Sequence, residues 1–226
     1  MIQLRKSTTS NGTGNDDGQG HVYAPIVSCP REDFALRREA VYLLQTAGVD
    51  TSLLTFLDDV DFAQWEEQRK AKGEKSHLPV PGLILVDHNA PEGPFGSEFW
   101  CQATEEILDH HRDDGQVLHV QGSERKIDFD ESQGKGIGST CTLVAKEIVD
   151  QFPSLFTEEE ALAKILLGTI LLDTVNCSEA AGKATARDVG MIEHLKGTLP
   201  DSFDARYDFT TLIMSERAVT PFLDFV

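Results

Sequence analysis

The sequence predicts an α/β fold with a mostly parallel sheet and helices on both faces. Three observations predict it. Apolar runs of strand length alternate with segments of helical periodicity. Two of those runs end abruptly on acidic and histidine side chains, as buried parallel strands do where their carboxyl ends open on a crevice. And 226 residues with 40% apolar side chains are enough to bury a proper core.

Residues 1–21 are rich in Ser, Thr, Gly, Asn and Asp without apolar periodicity, and they read as a disordered or poorly anchored leader. VYAPIVS (22–28) is a short β-type run closed by Pro30. Leu36, Ala40, Leu43, Leu44 and Ala47 then recur at helical spacing until Gly48 stops them. Residues 53–57 read as a second strand, and 62–77, crowded with Glu, Gln and Lys, as a surface helix running into a flexible loop. GLILVDHN (82–89) has the form of a buried parallel strand, and EEILDHH (105–111) ends in the same way. Ser139 can cap a helix through Val149, with Leu143, Val144, Ile148 and Val149 facing a core. TEEEALAKILLGTILLDT (157–174) predicts a helix from a Thr157 cap, its apolar continuation ending at Asp173. Residues 201–226 hold no clear element long enough for another domain.

A formal net charge of −18 opposes a broad nucleic-acid surface, which needs clustered Lys and Arg, and it disfavours anionic membranes for the same reason. No run of eighteen apolar residues appears and the first 21 lack the apolar centre of a secretory signal, so a cytoplasmic protein is expected. Cys29, Cys101, Cys141 and Cys177 are scattered outside any C-x-x-C pair, which suggests reduced thiols rather than a disulfide framework or zinc knuckle. An acidic chain can still bind an anionic substrate if metal ions reverse the charge locally.

Asp87, Asp109 and Asp173 each follow an apolar run, which would gather them at the carboxyl edge of one sheet. A lone Asp after a strand is usually a turn or cap; the coincidence of three points to a site. Two come with histidine, as Asp87-His88-Asn89 and Asp109-His110-His111-Arg112, and Asp with His is a ligand set for Mn²⁺ or a Mg²⁺-like ion. Two ions about 3.5–4 Å apart would activate a water and neutralise phosphoryl charge in an in-line displacement. His110 and His111 are adjacent, so one can ligate metal while the other faces substrate, and spacing does not decide which. Arg112 is a phosphate candidate by adjacency, and Ser139 could offer its hydroxyl and helix-start amides to phosphate. Arg31, Arg37 and Arg38 read as solvated helix charges, and His77, His119 and His194 show no partner pattern.

GLILVDHN, EEILDHHR, GSTCTLVAKEI and LLGTILLDTVN resemble the second, third, helix-opening and fourth motifs of the DHH phosphoesterases, in family order. PIVSCPREDFALRREAVYLL (25–44) more narrowly resembles the fungal exopolyphosphatases and prune proteins. The resemblance covers roughly 22–200 and implies a hydrolase of inorganic polyphosphate or pyrophosphate (inorganic diphosphatase) using Mn²⁺ or Mg²⁺, two ions in the complete family site. It implies that Asp87 bridges the metals, that His111 and Asp173 are further ligands, that His110 contacts substrate phosphate, and that Asp109 orients the histidines. The family's opening strand and Asp-x-Asp motif have no counterpart here, Gly14-Asn15-Asp16-Asp17 matching only its first letters. The expectation is therefore a DHH-type domain at 22–200 incomplete at its N-terminal end, with 201–226 starting a truncated second DHH-associated domain. Such a chain would hold at most one weak ion, work slowly, and leave a sheet edge open, through which it could form a homo-oligomer. The alternatives are a non-catalytic prune-like binding or regulatory protein, or a DHH phosphodiesterase acting on short nucleotides.

Overall fold

The computed structural model describes residues 2–7, 23–72 and 80–200. In chain order the strands are β1 (Ile2–Ser7), β2 (Tyr23–Val27), β3 (Thr55–Phe56), β4 (Val80–Val86), β5 (Thr104–Asp109), β6 (Arg125–Ile127), β7 (Phe129–Asp130) and β8 (Lys135–Gly136). The α-helices are α1 (Arg31–Phe34), α2 (Arg38–Thr46), α3 (Phe62–Lys72), α4 (Glu98–Ala103), α5 (Thr140–Gln151), α6 (Leu155–Glu158), α7 (Glu160–Asp173) and α8 (Ala186–Gly197). The described residues fall into two compact units, the first taking those of Met1–Glu32 and Leu54–Asp128, the second those of Asp33–Leu53 and Phe129–Val226.

The first unit is built on a six-stranded sheet in the order β3-β2-β1-β4-β5-β6. The pairs β2–β3, β4–β5 and β5–β6 are parallel, so the sheet is mostly parallel and the chain is mixed α/β. β4 is apolar on both faces, with Leu83, Ile84 and Leu85 all buried, which is why GLILV reads as a continuous apolar run. Leu83, Leu85, Ile26 and Ile107 pack with Phe62, Phe95 and Trp100 into one core. α3 is less polar than its composition suggests. Phe62 is buried and Trp65 partly so, and these aromatics meet Trp100 edge-on, anchoring an otherwise charged helix.

The leader expectation is corrected at its start. Ile2–Ser7 form β1, antiparallel to β2 on one side and to β4 on the other, with Ile2 opposite Ile26 and Leu85. The alternation Ile2-Gln3-Leu4-Arg5 has a strand's period, but it is short, and two partner strands supply the backbone hydrogen bonds that it cannot supply alone. The sheet is therefore not left open for want of a strand there. Its outer members are β3 and β6, of two and three residues, and short edges are a common defence against unwanted pairing. Residues 8–22 of the expected leader, and 201–226, lie outside the described residues.

The described part of the second unit is mainly helical and carries the β7–β8 hairpin. Ala145, Phe156, Leu167, Ile170, Ile192 and Leu195 form its core. Ser139 caps α5 by accepting from the Cys141 amide at 3.2 Å. α7 begins later than its sequence suggests: Glu159 is its N-cap, and Thr157 lies within α6, donating to the Ser154 carbonyl instead. Gly168 lets α2 lie close to α7, because a Cβ there would sit 2.3 Å from a methyl of Leu43. Asp173 is the last residue of this helix, not the end of a strand, so the sheet-edge argument applies to Asp87 and Asp109 but not to Asp173. Among the described residues no helix is long and apolar enough to cross a membrane.

Candidate metal centre

β4 and β5 run parallel with Val86 opposite Leu108, so the residues that follow them leave the sheet side by side. The Asp87 amide donates to the Leu108 carbonyl at 3.0 Å, and its backbone turns left-handed there, with φ 70°. Asp tolerates that conformation better than most side chains do, and a strained residue at a strand end is a common feature of sites.

Asp109 ends β5 fully buried. Its Oδ1 accepts from the His110 amide at 2.7 Å and lies 2.8 Å from His111 Nδ1, while Oδ2 accepts from Asn89 Nδ2 at 2.6 Å. Burial alone would raise the carboxyl pKa, but the donors from His111, Asn89 and the His110 amide outweigh it and bring it to about 2. Asp109 is thus a buried anion whose charge is spent on holding His111 and the chain around it. With Nδ1 turned to Asp109, the neutral ring carries its proton there and leaves Nε2 as the ligand atom.

His110 Nε2 lies 3.5 Å from Asp87 Oδ1, and the two histidine rings meet edge to face at 4.2 Å. Asp87, His110 and His111 each offer one ligand atom, all within 4.8 Å of one another. Ligand atoms about 2.1 Å from a single octahedral ion lie roughly 3.0–4.2 Å apart, so the side chains would draw inward to hold an ion. Two imidazoles and one carboxylate suit Mn²⁺ or a later transition metal better than Mg²⁺, which prefers oxygen. Burial pushes neighbouring His88 down in pKa, partly offset by Asp109 and Asp87, and its Nδ1 sits 3.1 Å from the Val86 carbonyl.

Asp87, Asp109, His110 and His111 are therefore together in the first unit. Arg112 follows them with an exposed side chain, and its carbonyl accepts from Asn89 at 2.9 Å. In the second unit Ser139 is fully buried, and its hydroxyl donates to Asp173 Oδ2 at 2.5 Å. That hydroxyl is engaged by a carboxylate, a different use from the phosphate contact considered for it above. Directly after Asp173 and Thr174, three successive residues, Val175, Asn176 and Cys177, are left-handed at φ 52°, 56° and 54°. A β-branched residue in that region is strained.

Sequence reasoning overlooked two residues. Asn89, only 3% exposed, joins Asp109 to the following loop. Asp188, fully buried, accepts from the Gly138 amide, the Thr142 hydroxyl and Thr185, tying the start of α5 to α8. The first had a signal, the polar Asn that completes Asp87-His88-Asn89. The second had the Thr185-x-x-Asp188 capping box.

No family model matches the chain. It is 32% identical over 181 residues to the bovine protein named exopolyphosphatase PRUNE1, an alignment covering 80% of this chain and 35% of that one. It is 28% identical over 211 residues to a Schizosaccharomyces pombe protein named "Putative exopolyphosphatase", covering 90% of this chain and 49% of that one. The chain resembles the exopolyphosphatase and prune proteins. It spans between a third and a half of the length of these two relatives. The solved structure of a Methanococcus jannaschii protein described as a "putative family II inorganic pyrophosphatase" superposes with a TM-score of 0.46 at 21% identity, over 80% of this chain and 50% of that one. The exopolyphosphatase and prune relationship is the one that the segment 25–44 and the ordered Asp and His motifs suggest from sequence.

Proposed function

We propose that this chain contributes the metal-binding half of a hydrolase that cleaves phosphoanhydride bonds in polyphosphate or pyrophosphate, in the cytoplasm. The observation that carries the reading is the Asp87, His110 and His111 cluster backed by buried Asp109, in a relative of proteins named exopolyphosphatases. A bound Mn²⁺ would act as a Lewis acid toward phosphoryl oxygen and lower the pKa of a coordinated water.

The chain's own residues set the rest. The proximity of His110 to Asp87 supports His110 as a ligand beside it, where the motif resemblance makes His110 the substrate contact. His111 is a ligand through Nε2, its ring held by Asp109. Arg112 offers a guanidinium to phosphate. Resemblance to the fourth family motif supports Asp173 as a further ligand, and the Ser139 hydroxyl would hold that carboxylate in one rotamer.

One observation favours a weaker catalyst or a non-catalytic, prune-like binding role. β1 is antiparallel to β4, with Ser7 opposite Val80, so its carboxyl end leaves the sheet at the edge away from Asp87. A strand running that way brings its first residue, Ile2, and not its last level with the Asp87 edge. The reading is thus of one ion and slow turnover.

The test is calorimetric titration with Mn²⁺ alongside phosphate release from long polyphosphate, pyrophosphate and a dinucleotide. One weak site and slow release from the first two are expected. Asp87→Asn, which keeps the left-handed backbone, should fold normally and lose the ion. Two tight ions would overturn the single-ion reading, no release from any substrate would favour the binding role, and cleavage of the dinucleotide alone would make the chain a phosphodiesterase.

A further inference from the structure

Asn89 is nearly buried and uses both ends of its amide. Its Nδ2 donates to Asp109 Oδ2 at 2.6 Å and to the Arg112 carbonyl at 2.9 Å. Its Oδ1 accepts from the Asp114 amide at 2.8 Å. One side chain at the end of β4 thus grips both the carboxylate that holds His111 and the loop that carries Arg112.

The same loop has an outer clamp. Arg125 Nη2 donates to both Asp113 oxygens at 2.6 Å, and its Nη1 donates to the Val117 carbonyl at 2.7 Å. The hydrogen bonds of this clamp go to the loop and not to Asp109. The two anchors are therefore chemically separable: Asn89 acts on loop and carboxylate together, Arg125 on the loop only.

We propose that Asn89 is a positioning residue: by bonding Asp109 it fixes the His111 ring and tautomer, so that Nε2 faces the metal cluster, and by bonding Arg112 and Asp114 it holds the adjoining loop to β4. The inference rests on the metal-site reading above and deepens it. An amide is suited to this work because it donates to an anion and a carbonyl while accepting from an N–H. A carboxylate in its place would set two anions against each other, and an apolar residue would leave Asp109 with one donor fewer in a buried site.

The experiment uses the full chain and the variants Asn89→Ala and Arg125→Ala, with two readouts well below each variant's melting temperature. The first is the His111 tautomer, from long-range ¹H–¹⁵N spectra at a pH where the ring is neutral. The second is Mn²⁺ affinity by calorimetry. Wild type should show one Nδ1–H tautomer. Asn89→Ala should show a mixture and bind Mn²⁺ about ten- to a hundredfold more weakly, the range expected when a group orienting a metal ligand is lost. Arg125→Ala should keep the tautomer and bind within about twofold of wild type, even if it melts earlier. An unchanged tautomer in Asn89→Ala would reduce Asn89 to a structural role and overturn the inference. So would equal losses in both variants, which would assign the effect to the loop as a whole. If wild type binds no Mn²⁺ at all, the metal-site reading falls, and the tautomer measurement alone decides the role of Asn89.

Discussion

Asp109 keeps a full negative charge with no solvent exposure, and the cost of removing that charge from water is met by donors within the protein. Its carboxyl titrates at about 2 in the folded chain, against about 3.9 for an unfolded one. A folded pKa below the unfolded value means that the native state is favoured above about pH 4, and that the advantage is lost as pH falls toward 2. The full shift would correspond to roughly 2.6 kcal/mol, and allowing for solvent screening near the exposed His111 leaves about 1–2 kcal/mol. Urea unfolding at pH 6 and pH 3 should show wild type losing more stability on acidification than Asp109→Asn does. Equal losses in the two proteins would mean that Asp109 is not held as an anion in the native state.

At the scale of elements, the junction of α5 and α8 depends on one carboxylate. Asp188 serves as the third residue of its own helix's capping box and also accepts from the Gly138 amide and the Thr142 hydroxyl. Gly138 is required because a Cβ there would meet the Lys183 carbonyl and Asp188 at 2.9 Å and Thr174 at 2.8 Å. Asp188→Ala would leave several buried donors without acceptors, and a loss on the order of 3 kcal/mol is expected. Asp150→Ala is the control. Its ion pair with Lys146 is more than half exposed on both sides and should contribute less than about 0.5 kcal/mol. Denaturant midpoints of the two variants check the contrast, and similar midpoints would contradict the packing argument.

At the scale of the whole molecule, direction matters as much as composition. A mostly parallel sheet takes in one reversed strand, β1, and all the described strands of that sheet remain connected through it. β2 and β4 have no direct ladder between them in the strand order, so β1 carries the pairing from one side of the sheet to the other. Amides of Ile2–Arg5 should therefore exchange slowly, within about tenfold of those in β4, because these residues have a partner strand on both sides. Exchange of these amides at the rate of an unstructured peptide would show that β2 and β4 hold together without it.

Much was readable without coordinates because it depends on neighbours in the chain. GLILV and EEILD announce buried strands through local apolar runs, and the coincidence of Asp with His at the close of both marks the candidate site, where a lone Asp would mark only a turn or cap. The cap at Ser139 and the ordered motifs are local in the same sense. Tertiary structure decided the rest. A four-residue alternation, Ile2 to Arg5, is too weak to nucleate a strand, and only two partners already in place give its backbone somewhere to bond. Asp173 follows an apolar run as Asp109 does, but burial all round a helix and burial in a strand leave the same apolar signal. Asn89 finds its partners 20, 23 and 25 residues away, a distance over which no spacing rule reaches, so its role becomes visible only once β4 and β5 lie side by side.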